Sequence, residues 1–141
     1  MREILFMREI LFRGKRKDDD KWAYLYLYIR NDGQYEISFY SKYFDSERFT
    51  YDVIPETVGQ YIGLTDKNGK KIFEGDILRR AYHPYEDVAI EWFDGSFRFR
   101  EVNKPKDYGY SYVCCVQNAV SRLKIIGNIY DNPELNCWRE A

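Results

Sequence analysis

Apolar and polar residues alternate along most of this chain, and the alternation predicts β-strands. In the clearest case, "WAYLYLYIR" (22–30), the odd-numbered positions are aliphatic and the even-numbered positions are aromatic until Arg30. Successive side chains of a strand point to opposite faces, so this segment predicts one aliphatic face and one aromatic face. The tripeptide "NDG" (31–33) follows as a hairpin turn, and "QYEISFY" (34–40) returns as the partner strand.

Further turn signals divide the rest of the chain into short strands. Asn68-Gly69 separates "YIGL" from "KIF", and Asp94-Gly95 separates "DVAIEWF" from "SFRFREV". "DILRRAY" (76–82) and "KIIGNIY" (124–130) are two more predicted strands, whereas "SKYFDSERFTYDV" (41–53) is a polar excursion without a strong period. "CCVQNAVSRL" (114–123) is compatible with a short helix or a strand, and a short helix is favoured for 117–123. We therefore predict a mainly β, small barrel-like domain of short antiparallel strands with at most a short helix.

The chain begins with the same hexamer twice, "MREILF" at 1–6 and again at 7–12. A repeat of six keeps side chains on the same face of a strand, so either copy suits one strand position. A continuous strand of twelve residues would span about 40 Å, which is longer than usual. We expect one copy to pair in the domain, with Met7 as the ancestral first residue and 1–12 as a duplicated start.

The charge balance argues against a duplex-binding protein, because 22 basic residues face 23 acidic ones and the pI is near 5.9. Acidic residues are concentrated between 31 and 66, where seven acids accompany two bases. This bias is typical of a solvated face, or of a surface that steers a basic partner. The candidate acidic surface comprises Asp32, Glu36, Asp45, Glu47 and Asp52.

Few residues in the chain suit metal, redox or covalent chemistry. His83 is the single histidine, and the three cysteines form no CxxC pair, so we expect no metal site, no cofactor and no disulfide framework. Cys114 and Cys115 are interpreted as small apolar residues. No apolar stretch approaches the length of a membrane span or a signal peptide core, and we expect a cytoplasmic location without membrane association.

Two pairs of carboxylates lie close in sequence, Glu74 with Asp76 and Glu91 with Asp94. Acid–base catalysis would need a pocket that separates their pKa values. Asp76 and Asp94 stand beside turn glycines, where aspartate commonly accepts hydrogen bonds from backbone amides. We expect turn roles for them and no enzymatic activity.

The aromatic positions of 22–28 leave three interpretations open. Trp22, Tyr24, Tyr26 and Tyr28 can pack inside the domain, form a protein interface or stack on exposed bases. Arg98 and Arg100 alternate with Phe97 and Phe99 and form a charged face of their own strand. The candidate binding face comprises the four aromatic residues and these two arginines.

Several blocks of the sequence resemble the YopX proteins, which are small proteins of phages and prophages of Gram-positive bacteria. The most specific block is "PETVGQYIGLTDKNGKKIFEGDI" (55–77), and "MREILFRGKR" (7–16), "EWFDGSF" (91–97) and "IIGNIYDNPEL" (125–135) are similar to other parts of the family pattern. The resemblance implies a β-rich barrel-like domain over 7–135, a phage or prophage source and a homo-oligomer, but no mechanism. The doubled hexamer, the long "WAYLYLYIR" strand and the tail 136–141 depart from the pattern.

These observations favour a binding function over a catalytic one. The leading hypothesis is a phage or prophage accessory protein that binds a host protein, including inhibition of host defence machinery. Nucleic-acid binding in phage replication or regulation is the first alternative, and a self-assembling module without an external ligand is the second.

Overall fold

The computed structural model describes residues 8–40, 48–79, 87–102, 112–113 and 122–136. Two compact units divide the chain, Met1–Tyr61 and Ile62–Ala141, and each is described by itself. The described strands pair in antiparallel sheets, and the described ranges contain no α-helix. The prediction of a mainly β fold is therefore confirmed.

Five strands form the sheet of the first unit in the order β4-β3-β2-β1-β5. Their bounds are β1 Phe12–Lys15, β2 Trp22–Ile29, β3 Tyr35–Tyr40, β4 Arg48–Val53 and β5 Gly59–Thr65, and the end of β5 belongs to the second unit. A single-turn 3₁₀ helix, Pro55–Thr57, precedes β5. Ala23, Ile37 and Val53 are the buried centre of this unit. The hairpin predicted around "NDG" is present, with Ile29 of β2 opposite Tyr35 of β3.

The first sheet curls but does not close. Arg16 and Val53 form a single bridge between the end of β1 and the end of β4. Two backbone hydrogen bonds flank it, from the Lys17 N–H to the Asp52 carbonyl at 2.9 Å and from the Ile54 N–H to the Lys15 carbonyl at 2.8 Å. The remainder of β4 pairs only with β3 among the described residues. The barrel-like part of the prediction is thus corrected to a curled sheet, because the closing contact extends over one bridge.

The segment interpreted as a polar excursion contains a strand, β4. Its first three residues, Arg48 to Thr50, are exposed, and only Val53 at its end is buried. An edge strand with little buried surface need not show strict alternation of apolar and polar residues. The sequence pattern was therefore too weak to indicate the strand, although β4 pairs with β3 over six residues.

Six further strands lie in the second unit. They are β6 Lys71–Phe73, β7 Asp76–Arg79, β8 Val88–Phe93, β9 Ser96–Glu101, β10 Tyr112–Val113 and β11 Lys124–Asn128. Five of them form a sheet in the order β10-β9-β8-β7-β11, and β6 pairs with β5. One apolar cluster centres on Leu78, Ile90 and Phe99, and another centres on Ile77 and Ala89. Neighbouring residues of β7 and β8 thus pack into different clusters, as expected when side chains alternate between two covered faces of a sheet.

The β8–β9 hairpin is the turn that sequence predicts best. Asp94 has a φ of 51° and Gly95 a φ of 84°. Two successive positive φ angles are the signature of a type I′ turn, which matches the twist of the flanking strands. Six residue pairs follow in register, from Phe93–Ser96 to Val88–Glu101.

Some predictions fall outside the described residues. These are the first hexamer at 1–6, most of the helix at 117–123, the tail 137–141, and the positions of His83, Cys114 and Cys115. Of the second hexamer, Phe12 opens β1 opposite Leu25, and the Leu11 carbonyl accepts a hydrogen bond from the Tyr61 N–H at 2.8 Å.

Candidate functional site

The tyrosine face is the surface of β2 formed by Tyr24, Tyr26 and Tyr28, with Trp22 at its start. The three tyrosines are 46%, 53% and 51% exposed, and Trp22 is half-buried. Among the three interpretations of the aromatic positions, packing inside the unit is therefore excluded for the tyrosines. Large aromatic side chains at this exposure are available for contact with another molecule.

Alternation along β2 produces this face. Ala23 is buried in the core and Leu27 packs against it, so the intervening tyrosines point away from the core. Directly across the sheet from Tyr26 stands the small side chain of Ser38, which cannot cover an aromatic ring. Ile29 departs from the predicted pattern, because it is half exposed at the end of the strand.

Cations surround the Trp22 end of the tyrosine face. Lys15 is the cross-strand partner of Trp22, and its Nζ lies 5.7 Å from the centre of the ring. The guanidinium carbon of Arg13 lies 4.6 Å from the same ring, and Arg13 is buried. Both distances fall within the range of cation–π attraction, so Trp22 is held in place by its own chain.

Carboxylates surround the opposite end. Glu36 is the cross-strand partner of Tyr28, and Asp52 is the partner of Glu36 on β4. Asp32 and Asp52 are exposed, whereas the Glu36 side chain is only 12% exposed. Asp45 and Glu47, the other members of the candidate acidic surface, lie outside the described residues. The described carboxylates thus form a small group beside Tyr28.

Arg98 and Arg100 belong to β9 in the second unit, on a different strand and in a different unit from the tyrosines. Both bind Glu91, with Nε–oxygen distances of 2.6 Å for Arg98 and 3.0 Å for Arg100. Arg100 also donates to the Asn136 side chain at 2.7 Å. Because one carboxylate neutralises one of the two guanidinium charges, this trio retains a single net positive charge. That is a weak attraction for a phosphate backbone.

Sequence reasoning overlooked two exposed aromatic residues beside these arginines. Trp92 is 55% exposed and Phe93 is 54% exposed, at the tip of the β8–β9 hairpin. Trp92 packs edge-on against Phe97, and the guanidinium of Arg98 lies 3.6 Å from the centre of the Phe93 ring. Two adjacent aromatic residues immediately before an Asp-Gly turn are a sequence signal for an exposed hairpin tip. Their side chains point to opposite faces of the hairpin, and few neighbouring strands extend far enough to cover them there.

Two buried aspartates accept backbone hydrogen bonds, Asp66 and Asp76, of which Asp76 is one of the four catalytic candidates named from the sequence. The Asp76 side chain is buried and accepts the backbone N–H of Phe73 at 2.8 Å, which confirms its predicted turn role. Asp66 is buried too, and it accepts three backbone N–H groups, from Asn68, Lys70 and Ile125. Burial alone would raise the pKa of Asp66, but these N–H groups and the Lys70 charge hold the pKa below its ordinary value.

Within the described ranges, no three histidine, cysteine, aspartate or glutamate side chains are grouped closely enough to hold a metal ion. No helix in the described part of the chain has the length and apolar character needed to cross a membrane.

The antiparallel sheets and the exposed aromatic face define a small, mainly β protein. The family model described as "YopX protein" matches residues 11–135. This chain belongs to the YopX protein family.

Two solved structures resemble the chain. Protein EF1440 from Enterococcus faecalis is 22% identical, with a TM-score of 0.56 over 92% of this chain and 99% of that chain. Protein yopX from Bacillus subtilis is 17% identical, with a TM-score of 0.50 over 95% of this chain and 100% of that chain. No curated protein matches the chain. At these identities the likeness supports the fold and says nothing about function.

Proposed function

We propose that this chain is a non-enzymatic phage or prophage accessory protein that binds a host protein through the tyrosine face. The observation that carries the proposal is the row of Tyr24, Tyr26 and Tyr28, each about half exposed on one strand. Tyrosine is enriched at protein interfaces because it combines a large apolar ring with a hydroxyl group and loses little conformational entropy on binding.

Rigid support favours this face as a binding surface. β2 lies between β1 and β3, and its Ala23 and Leu27 side chains pack in the core of the first unit. A surface that is already ordered pays a smaller entropic cost on binding than a loop that must be ordered first. The carboxylates beside Tyr28 would favour a partner with basic groups at that end and would accelerate the encounter.

The proposal places the protein in the host cytoplasm, where the partner would be a component of the host's own machinery, including its defence systems. Occupying a host protein requires no catalytic group. Homo-oligomerisation, implied by the family resemblance, is part of the proposal and would repeat the tyrosine face on each copy.

The test is a capture experiment from nuclease-treated host lysate, with the full chain as bait. We expect a stoichiometric host protein that is identified by mass spectrometry and then binds in purified form. Tyr26→Ala should weaken this binding by about tenfold, as expected for a central interface tyrosine. The matched control is Phe49→Ala, since Phe49 is exposed on β4 but faces the opposite side of the sheet.

Other outcomes would replace the proposal. In a parallel capture from lysate without nuclease, recovery of nucleic acid that salt releases would favour the nucleic-acid alternative, through Trp92, Phe93 and Arg98 rather than the tyrosines. Recovery of the chain alone, with a molar mass that is a multiple of the monomer, would favour self-assembly. Binding that Tyr26→Ala and Phe49→Ala weaken equally would contradict the choice of face.

A further inference from the structure

An open cleft of about 470 Å³ lies at the end of the tyrosine face. Its lining residues are Tyr28, Arg30, Asn31, Asp32 and Glu36. Tyr28 and Glu36 stand directly opposite each other on β2 and β3, so an aromatic ring and a carboxylate share one wall. Arg30 and the first two residues of the "NDG" turn supply the rest of the lining.

The cleft carries one excess negative charge. Arg30 lies between its two carboxylates, with Nη2 3.1 Å from Asp32 Oδ2 and Nη1 3.4 Å from Glu36 Oε1. Asp32 has a second contact, because its Oδ1 accepts the Gln34 N–H at 3.1 Å. Two carboxylates against one guanidinium leave a net charge of −1.

Glu36 is the less satisfied of the two carboxylates. Its side chain is 12% exposed, and its contact with Arg30, at 3.4 Å, is long for a hydrogen bond. Among the described residues, this is the one hydrogen bond to its carboxylate. A charge that is largely removed from water requires strong partners, and a single long contact provides incomplete compensation. Glu36 is therefore placed to gain from a second cation.

We propose that this cleft binds the guanidinium group of an arginine side chain of the partner protein, paired with Glu36 and stacked on Tyr28. The inference rests on the proposed function and adds the chemistry of the partner. A planar guanidinium can bind a carboxylate through two parallel hydrogen bonds while its face lies on an aromatic ring. An ammonium group offers only a point charge.

The chain's own arginines already make both contacts. The guanidinium of Arg16 lies 3.8 Å from the centre of the Tyr51 ring, and that of Arg98 lies 3.6 Å from the centre of the Phe93 ring. Arg79 binds both oxygens of Asp87, each at 2.8 Å. The cleft offers the same two kinds of acceptor side by side, a half-exposed ring and a carboxylate.

The experiment is an NMR titration of the isotope-labelled full chain with Nα-acetyl-arginine amide, which mimics an arginine within a protein. We expect saturable shifts of the backbone amides of 28–36, with a dissociation constant on the order of 1 mM, typical of a single side chain. Glu36→Gln should weaken binding at least about fivefold, which corresponds to roughly 1 kcal/mol. Glu56→Gln, an exposed change of the same kind, should leave binding unaltered. Should Glu36→Gln not fold, Tyr28→Ser replaces it with the same expectation.

Several results would overturn the inference. Nα-acetyl-glutamate amide binding as well as the arginine probe would mean that Arg30 recognises anions. Calcium saturating the same amides at lower concentration would make the cleft a cation site of another kind. Free arginine binding at least about tenfold more tightly than the capped probe would identify a small molecule and not a protein side chain as the ligand. No shifts at 28–36 would exclude the cleft.

Failure of this inference is distinguishable from failure of the proposed function. A captured host protein whose affinity falls with Tyr26→Ala but not with Glu36→Gln would contradict the arginine cleft alone. Binding of the capped arginine probe without any captured protein would contradict the proposed function, while the guanidinium chemistry of the cleft would stand.

Discussion

Replacing Asp66 with alanine is expected to cost about 3 kcal/mol of the free energy of unfolding. Its Oδ1 accepts the N–H groups of Asn68 and Lys70, each at 2.9 Å, and its Oδ2 accepts that of Ile125 at 3.1 Å. A hydrogen bond to a charged acceptor contributes about 1.5–3 kcal/mol. The hydrogen bond from Ile125 should contribute its full free energy. The bonds from Asn68 and Lys70 should contribute less, because both residues are exposed and water can replace the lost acceptor.

Asp66→Asn distinguishes the contribution of the Ile125 hydrogen bond from that of the two turn hydrogen bonds. The amide oxygen can keep the two turn bonds, but the NH₂ group then faces the Ile125 N–H, donor against donor. The cost should be about half that of the alanine variant. Asp52→Asn is the matched control, because Asp52 is exposed and changes of this kind usually stay within about 0.5 kcal/mol.

Urea unfolding monitored by circular dichroism measures the effect. With a slope of about 2 kcal/mol per M for a chain of this size, Asp66→Ala should lower the midpoint by about 1.5 M, with the slope unchanged. An Asp66→Ala midpoint equal to that of Asp52→Asn would refute the argument. It would mean that the three hydrogen bonds are replaced by water without loss.

The pH dependence provides an independent check on the same residue. Because the folded pKa of Asp66 is depressed, its charged form is favoured by folding, and its contribution is complete above the ordinary pKa of about 3.8. The stability difference between wild type and Asp66→Ala should be constant at neutral pH. It should shrink as the pH falls below about 4, through the folded pKa of the carboxyl group. A stability difference that grows toward acid pH would show that folding raises the pKa of Asp66 and does not lower it.

Three further substitutions test other parts of the fold by the same unfolding assay. Asp87→Ala removes a fully buried carboxylate from Arg79 and should cost about 2–4 kcal/mol of the free energy of unfolding, whereas the double variant Asp87→Leu/Arg79→Met should recover much of that stability. If the double variant recovers none of it, the pair does more than balance charge. Gly14→Ala places a Cβ 3.0 Å from Val53 Cβ and 3.2 Å from Val58 Cγ2, so overpacking should cost about 1–3 kcal/mol of stability. An unchanged stability would show that β1 can shift to make room for the methyl group. The added Cβ of Gly95→Ala meets no atom within 4 Å, but the residue must adopt a φ of 84°, so backbone strain alone should cost about 1 kcal/mol of stability. A larger loss of stability, with faster hydrogen exchange of the hairpin amides, would indicate an altered turn.

Local signals were sufficient for the hairpins. The alternation in β2 and the Asp94-Gly95 turn depend on neighbours in sequence, so both could be predicted without tertiary information. β4 could not, because its pairing with β3 leaves most of its side chains exposed and imposes no apolar period. The closing bridge between Arg16 and Val53 depends on the curl of the whole sheet, which no local pattern encodes.

The candidate site was predictable in composition but not in arrangement. Sequence alone grouped Arg98 and Arg100 with the tyrosines, yet the structure places both around Glu91 on another strand. Glu36 was predicted as one member of a solvated acidic surface, whereas its largely buried carboxylate lines a cleft with Tyr28. Whether a charge is solvated, paired or buried depends on cross-strand neighbours that lie far apart in sequence.

The block of sequence that most resembles the family, 55–77, and the candidate site at 22–36 are different segments of the matched range 11–135. In the block 55–77, Asp66 and Asp76 accept backbone amides and Gly69 has a φ of 80° in a turn. These three residues stabilise turns and backbone contacts of the fold. The tyrosine face and its cleft instead belong to 22–36, whose first strand, 22–30, we expect to be longer than its counterpart in the family. Members of one family can therefore share this fold and bind different partners, so the partner has to be sought with the tyrosine face of this chain and not by analogy.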